Sequence, residues 1–212
     1  MQHYTYFRSS AAYRVRIALN LKGIAAQEHY VHLRKGEQTG ADYLKHNPQG
    51  LVPALVDDNG TVLGQSLAII EYLDETRPEP PLLPPDPRGR ARVRQLSYVI
   101  AADLHPLNNL RVLNYLSDTV GVTQEQRLAW YRHWTETGLA ALETLLAGAG
   151  TGTYCHGDTP TMADLCLVPQ VYNANRFEVE MAPYPTVQRI NDACLALDDF
   201  AKAAPDVQPD AE

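Results

Sequence analysis

The sequence has little of what builds covalent or metal-held frameworks. Cysteine occurs three times in 212 residues, at Cys155, Cys166 and Cys194, with no C-x-x-C pair. An odd, sparse set argues against a disulfide scaffold and fits a reducing compartment. Each cysteine reads as a small buried hydrophobe rather than a nucleophile. There is no Walker A motif, no G-x-G-x-x-G, no H-E-x-x-H and no Cys/His cluster, so neither a nucleotide nor a metal is expected. No run approaches the roughly 20 apolar residues that span a bilayer. The opening MQHYTYFRSS lacks an apolar secretory core, which makes the cytoplasm the expected location. Basic residues are in deficit: 18 Lys and Arg stand against 25 Asp and Glu, for a net charge of -7. Such a surface does not attract nucleic acid or anionic lipid, and a small anionic substrate would need locally placed arginines.

What is present is an ordinary globular composition, 45% hydrophobic and 20% charged. The clearest punctuation is RPEPPLLPPDP, Arg77 to Pro87, whose prolines forbid a helix interior. It divides a first domain, 1–82, from a second, 91–212, with a proline-rich linker at 83–90. The first domain reads as a strand at His3 to Phe7, a helix after Ser9-Ser10 that stops at Gly23, and a strand at about Glu28 to Leu33. A short helix near Ala41 to His46 follows, then a hairpin turning at Asp58-Asn59-Gly60 and a helix after Gln65-Ser66. That order is thioredoxin-like, α/β, with a right-handed crossover. The second domain reads as all-α. A long helical pattern from Arg88 to Leu116 is interrupted at His105-Pro106, and another runs from Gln124 to Leu146. A helix begins at the Thr161-x-x-Asp164 capping box and carries Pro169, and a last one spans Thr186 to about Ala203. The tail PDVQPDAE is expected to fray.

Three places in the first domain could meet a small anionic, peptide-like ligand. Ser9-Ser10 sits between strand and helix, where backbone N–H groups converge and a hydroxyl can donate to a thiolate. Thioredoxin-like oxidoreductases carry C-x-x-C there, but this chain reads Ser9-Ser10-Ala11-Ala12. Val52-Pro53 is placed like the X-Pro bond whose backbone pairs with peptide ligands in such folds. Gln65-Ser66 opens another helix and could take a carboxylate. Plain N-capping is the competing account of both serine sites. Arg8, Arg111 and Arg176 could grip substrate carboxylates, whereas Arg14 and Arg16 read more strongly as structural or solvated. His105 and Asn109 near the helix interruption are either capping groups or ligand contacts.

The string SSAAYRVRIALNLKG resembles zeta-class glutathione transferases, the family of maleylacetoacetate and maleylpyruvate isomerases, which read Ser-Ser-Cys-x-x-Arg-Val-Arg-Ile-Ala-Leu here. The resemblance continues through NPQGLVPAL, QSLAIIEYLDE, LHPLNNLRVL, GDTPTMADLCLVPQVYNANRF and PYPT, and so covers nearly the whole chain. It implies the glutathione-transferase fold, a homodimer, and glutathione as coenzyme. It also implies cis–trans isomerisation of maleylacetoacetate to fumarylacetoacetate, in tyrosine and phenylalanine catabolism, by reversible thiolate addition to the double bond. Maleylpyruvate isomerisation, transfer or dehalogenation on small α-halo acids, and a non-catalytic binding domain are the alternatives. By position, the resemblance places Ser9 and Ser10 nearest the glutathione sulfur, with Gln38 and Val52 on the peptide part and Pro53 cis. Gln65 and Ser66 take the γ-glutamyl end, and His105 and Asn109 reach in from the helical domain. Arg8, Arg111 and Arg176 receive substrate carboxylates. The family's cysteine after the serines is Ala11 here, which puts reactions that need that thiol in doubt.

Overall fold

Four short strands open the structure. β1 (Gln2–Thr5) runs parallel to β2 (Gln27–Tyr30) and antiparallel to β3 (Ala54–Val56), which pairs antiparallel with β4 (Val62–Gly64), giving the order β2-β1-β3-β4. Helix α1 (Ser10–Leu21) crosses between the parallel strands, α2 (Ala41–Leu44) precedes β3, and α3 (Ser66–Thr76) follows β4. This is the expected thioredoxin-like sequence of elements. The hairpin turns as its residues dictate: Asp57 Oδ1 accepts from the N–H groups of Asn59 and Thr61 at 2.9 and 2.8 Å. β2 ends three residues short of the expected Leu33, because single 3₁₀ turns at Leu33–Lys35 and Glu37–Thr39 replace its end.

The computed structural model describes residues 1–212, and they group into two units, Met1–Leu82 with Leu195–Glu212, and Leu83–Cys194. In the first unit α1 is buried on almost every side, including Arg14 and Arg16. The reason is that α3 covers one flank and the C-terminal segment the other: Asn20 Nδ2 donates to Asp199 O at 2.8 Å and Arg16 Nε to Ala203 O at 2.9 Å. The tail does not fray. Asp210 Oδ2 accepts from the Phe7 N–H at 3.0 Å, and the Glu212 carboxylate pairs with His32 and, at 3.4 Å, with Arg34.

The second unit is helical. Asp86 caps α4 (Pro87–Tyr98), with Pro87 at the first helical position where its missing N–H costs nothing. The helix continues through a π-helical stretch, Val99–Leu104, into α5 (His105–Leu107). The interruption falls at Asn108-Asn109 rather than His105-Pro106: the helix runs on from the π-helical stretch through Pro106, and the backbone leaves it only at Asn108 (φ -104, ψ 9) and Asn109 (φ -64, ψ 146). Beyond it, α6 (Leu110–Tyr115) leads to a second π-helical stretch, Leu116–Val120. α7 (Gln124–Leu146) has a reciprocal capping box of Thr123 and Gln126. Its Gly138 lies against the first π-helical stretch so closely that a Cβ would come within 2.3 Å of Leu104 Cδ1. α8 (Met162–Arg176) runs through Pro169 and starts at the expected capping box. Asp164 there is fully buried and accepts from the N–H groups of Cys155 and Thr161, both at 2.8 Å. The expected last helix is two: α9 (Pro185–Leu195), and α10 (Asp198–Ala201), which Asp198 and Asp199 restart because carboxylates favour a helix N-terminus.

Candidate functional site

Ser9 caps α1, its Oγ accepting from the Ala12 N–H at 3.2 Å. Capping uses an oxygen lone pair and leaves the hydroxyl proton free to donate, so capping and anion binding are compatible at this residue. Ser10 is the first helical residue and is buried. The loop feeding them is fixed from below: Arg16 donates to Phe7 O at 2.9 Å, Tyr6 O at 3.4 Å and Thr5 Oγ1 at 3.1 Å. Burial lowers the Arg16 pKa to about 10, which still leaves it charged near neutrality. Arg8, half-buried beside the serines, lies 4.7 Å above the Phe7 ring and reaches Glu212 O at 3.5 Å.

At the start of α3, Gln65 adopts φ 67, ψ 116 and gives the helix no side-chain cap. A non-glycine residue at positive φ costs on the order of 1–3 kcal/mol and is characteristic of ligand clamps. The Gln65 amide instead donates to Gln49 Oε1 at 2.8 Å, leaving the first N–H groups of α3 unclaimed by it. Ser66 is 5% exposed, and its Oγ accepts from Arg14 Nη1 at 3.2 Å. The segment ahead of Val52 is anchored by Asn47, whose Nδ2 donates to Leu51 O at 2.7 Å. The Val52–Pro53 peptide is cis, and both residues are buried. Gly50 approaches Gln38 so closely that a Cβ would lie 3.2 Å from Gln38 O, and Gln38 Oε1 is buried without a hydrogen bond. Gln38, Val52, Pro53, Gln65 and Ser66 are therefore gathered around Gln49-Gly50, and Arg14 ties that group to α1 behind Ser9 and Ser10.

In the helical unit the remaining candidates surround the break after α5. Asn109 caps α6, its Oδ1 accepting from the Arg111 N–H at 3.1 Å. Asn108 pins the break, its Nδ2 donating to Tyr131 O at 3.1 Å and Thr135 Oγ1 at 3.0 Å. His105 is half-buried, and Arg111 is exposed. Arg176, exposed at the end of α8, is held by Asn173 Oδ1 at 3.2 Å and by the Phe177 ring, 4.6 Å beneath its guanidinium. Phe177 stacks on Tyr131 at 3.7 Å between centroids. Through Tyr131, the 105–111 segment and Arg176 belong to one cluster.

Sequence reasoning passed over Gln49, Asn173 and Phe177, and it read Arg14 as structural or solvated without giving it a place beside Ser66. Arg14 left one signal, since it and Arg16 are charges on a helix whose other residues are apolar enough to bury it; the others left none, because their contacts are tertiary. All three cysteines are buried, and burial pushes the thiols of Cys155 and Cys194 well up, which fits their reading as hydrophobes.

Two family models match this chain: "Glutathione S-transferase, N-terminal domain" over residues 8–76 and "Glutathione S-transferase, C-terminal domain" over 129–205. A protein of Vibrio cholerae named probable maleylacetoacetate isomerase is 51% identical over 98% of this chain and 97% of its own. A maleylpyruvate isomerase of Ralstonia sp is 48% identical over the full length of both. The crystal structure of a maleylacetoacetate isomerase of Methylobacterium extorquens AM1, with bound malonate and GSH, superposes with a TM-score of 0.98 at 49% identity and covers all of both chains. With serines at the start of α1, and with the structure of a maleylpyruvate isomerase described as a bacterial zeta-class glutathione S-transferase superposing at a TM-score of 0.97 and 47% identity over all of both chains, the chain belongs to the glutathione S-transferase family and to its zeta class.

Proposed function

We propose that this chain is a glutathione-dependent cis–trans isomerase that converts maleylacetoacetate to fumarylacetoacetate. The observation that carries the reading is the pair Ser9 and Ser10 at the N-terminus of α1, where Ser9 Oγ serves the cap as an acceptor and its hydroxyl can still donate. The residues fit glutathione. The uncapped start of α3 with Ser66 suits the γ-glutamyl carboxylate, Gln38 Oε1 is a buried acceptor lacking a partner, and Val52 offers backbone to the cysteinyl part. His105 and Asn109 are the further glutathione contacts of this reading. Bound glutathione supplies a thiolate that adds reversibly to the activated double bond, so rotation occurs about a single bond before elimination.

The chain's own groups do the rest. Ser9 and Ser10 donate to the sulfur, and together with the positive end of α1 they hold it as thiolate. Arg8, Arg111 and Arg176 bind the carboxylates of the substrate and stabilise charge that develops on its oxygen. The malonate and GSH bound to the Methylobacterium relative support a site for a thiol peptide and a dicarboxylate together. The protein acts in the cytoplasm as a homodimer, within tyrosine and phenylalanine breakdown.

The Ralstonia relative favours a second reading, maleylpyruvate as substrate, since it matches over its full length at nearly the same identity. Absorbance loss of freshly generated maleylacetoacetate and maleylpyruvate, each with and without glutathione, separates the two. Higher glutathione-dependent kcat/KM on maleylacetoacetate is the expected result. Preference for maleylpyruvate moves the enzyme to that substrate, and no turnover of either ends the isomerase reading.

A further inference from the structure

Arg14 lies one helical turn beyond Ser10, and it is 1% exposed. A buried guanidinium is costly unless its donors are used. One of them crosses from α1 to the first residue of α3, Nη1 donating to Ser66 Oγ at 3.2 Å. A guanidinium has donors only, so the serine oxygen is the acceptor in this contact. The serine proton must then point elsewhere. A serine at a helix start otherwise tends to turn its oxygen toward backbone N–H groups of its own helix. With the oxygen engaged from behind, Ser66 keeps its O–H for a partner in front of α3. That helix end is without a side-chain cap, because Gln65 sits at φ 67 with its amide on Gln49.

We propose that Arg14 is a positioning residue for glutathione: it fixes the Ser66 hydroxyl as a donor to the γ-glutamyl α-carboxylate. This rests on the placement of the γ-glutamyl end at Gln65-Ser66 given above. Arg14 touches neither thiol nor substrate, so its effect lies in coenzyme affinity and not in the isomerisation step.

The test compares glutathione with γ-aminobutyryl-cysteinyl-glycine, the same thiol lacking that carboxylate, in steady-state isomerisation by the full-length enzyme. Arg14→Met is expected to raise KM for glutathione about tenfold, with kcat and the KM of the analogue changed by no more than about twofold. Ser66→Ala should reproduce this pattern, and Arg14→Met should add nothing in the Ser66→Ala background. Arg14→Lys keeps a donor with different reach, and it should fall between wild type and Arg14→Met. Should Arg14→Met not fold, the cycle of Arg14→Lys with Ser66→Ala reads the same coupling. Equal KM increases for both thiols, or additive effects in the double variant, overturn the proposal and leave Arg14 as packing. If Ser66→Ala leaves the glutathione KM unchanged, the γ-glutamyl placement itself is wrong and the proposal falls with it. If Ser66→Ala raises KM and the Arg14 variants do not, only the positioning role is lost.

Discussion

Arg16 and Ala203 stand 187 positions apart and are joined by a 2.9 Å hydrogen bond from Nε to the carbonyl oxygen. The same guanidinium holds Phe7 O at 2.9 Å, so one buried cation ties the C-terminal segment to the loop that carries Ser9 and Ser10. Arg16→Met removes donors from carbonyls that have no access to water. The expected loss is on the order of 3–5 kcal/mol in urea denaturation, because unsatisfied buried acceptors retain their full desolvation cost. Arg16→Lys should recover less than half of it, since an ammonium cannot serve the same fork of acceptors. A loss below about 1 kcal/mol for Arg16→Met would mean that water replaces the side chain.

The two active-loop serines should separate in their effects. Ser9 caps α1 through its oxygen, so Ser9→Ala should cost about 1 kcal/mol of stability. Ser10 is buried at the first helical position of α1. Ser10→Ala should raise the pKa of enzyme-bound glutathione thiol by about 1–2 units, worth about 1.4 kcal/mol per unit. Ultraviolet thiolate absorbance against pH measures this. An unchanged titration in Ser10→Ala with a shifted one in Ser9→Ala would reverse the assignment.

Much of this architecture was legible from local pattern. The capping box at Thr161, the turn at Asp58-Asn59-Gly60 and the bounds of α7 follow from short-range chemistry that the sequence spells out. The break at Asn108-Asn109 was not, because proline marks a helix boundary without saying on which side the break falls; there, Asn108 bonds to Tyr131 and Thr135 on α7 decide it. Nor did periodicity indicate that the tail would be ordered, since that depends on Phe7, His32 and Arg34, far away in the chain. The loop serines and Gln65-Ser66 stood out because helix starts have a signature. Arg14 and Phe177 act across packed elements, and spacing along one helix carries no trace of a partner on another.

His3 gives the fold a pH dependence. It lies fully buried in β1, neither ring nitrogen has a hydrogen-bond partner, and Glu28 Oε1 is 3.8 Å from Nδ1, beyond bonding distance. Burial, opposed in part by Glu28 and aided by Arg16, lowers its pKa below the ordinary 6.5. The unfolded chain therefore binds the proton that the folded chain refuses. Stability from this group is fully present above pH 6.5 and is lost as pH falls from there toward the depressed folded value. His3→Leu should abolish that part of the acid sensitivity. Urea midpoints for both proteins at pH 7.5 and 5.5, about one unit either side of the histidine reference value, measure it. An equal decline in both would show that other groups govern the acid limb.

Arg176 is the arginine whose geometry is most prepared for a carboxylate. Asn173 Oδ1 takes one of its donors at 3.2 Å, and the Phe177 ring lies 4.6 Å beneath the guanidinium plane, itself stacked on Tyr131. A planar cation held on an aromatic face gives up less rotamer freedom when its fork takes a carboxylate. Arg176→Ala should raise KM for the dicarboxylate tenfold or more, on the order of 1.5–3 kcal/mol for a charged hydrogen bond, and leave KM for glutathione within about twofold. Phe177→Leu removes only the supporting ring, and it should produce a smaller rise of about threefold, in line with the 0.5–1 kcal/mol of an exposed cation–π contact. Kinetics with the dicarboxylate varied at saturating glutathione, then the reverse, resolve the two KM values. A rise confined to glutathione in Arg176→Ala would assign this arginine to the coenzyme instead and leave Arg8 and Arg111 to bind the substrate.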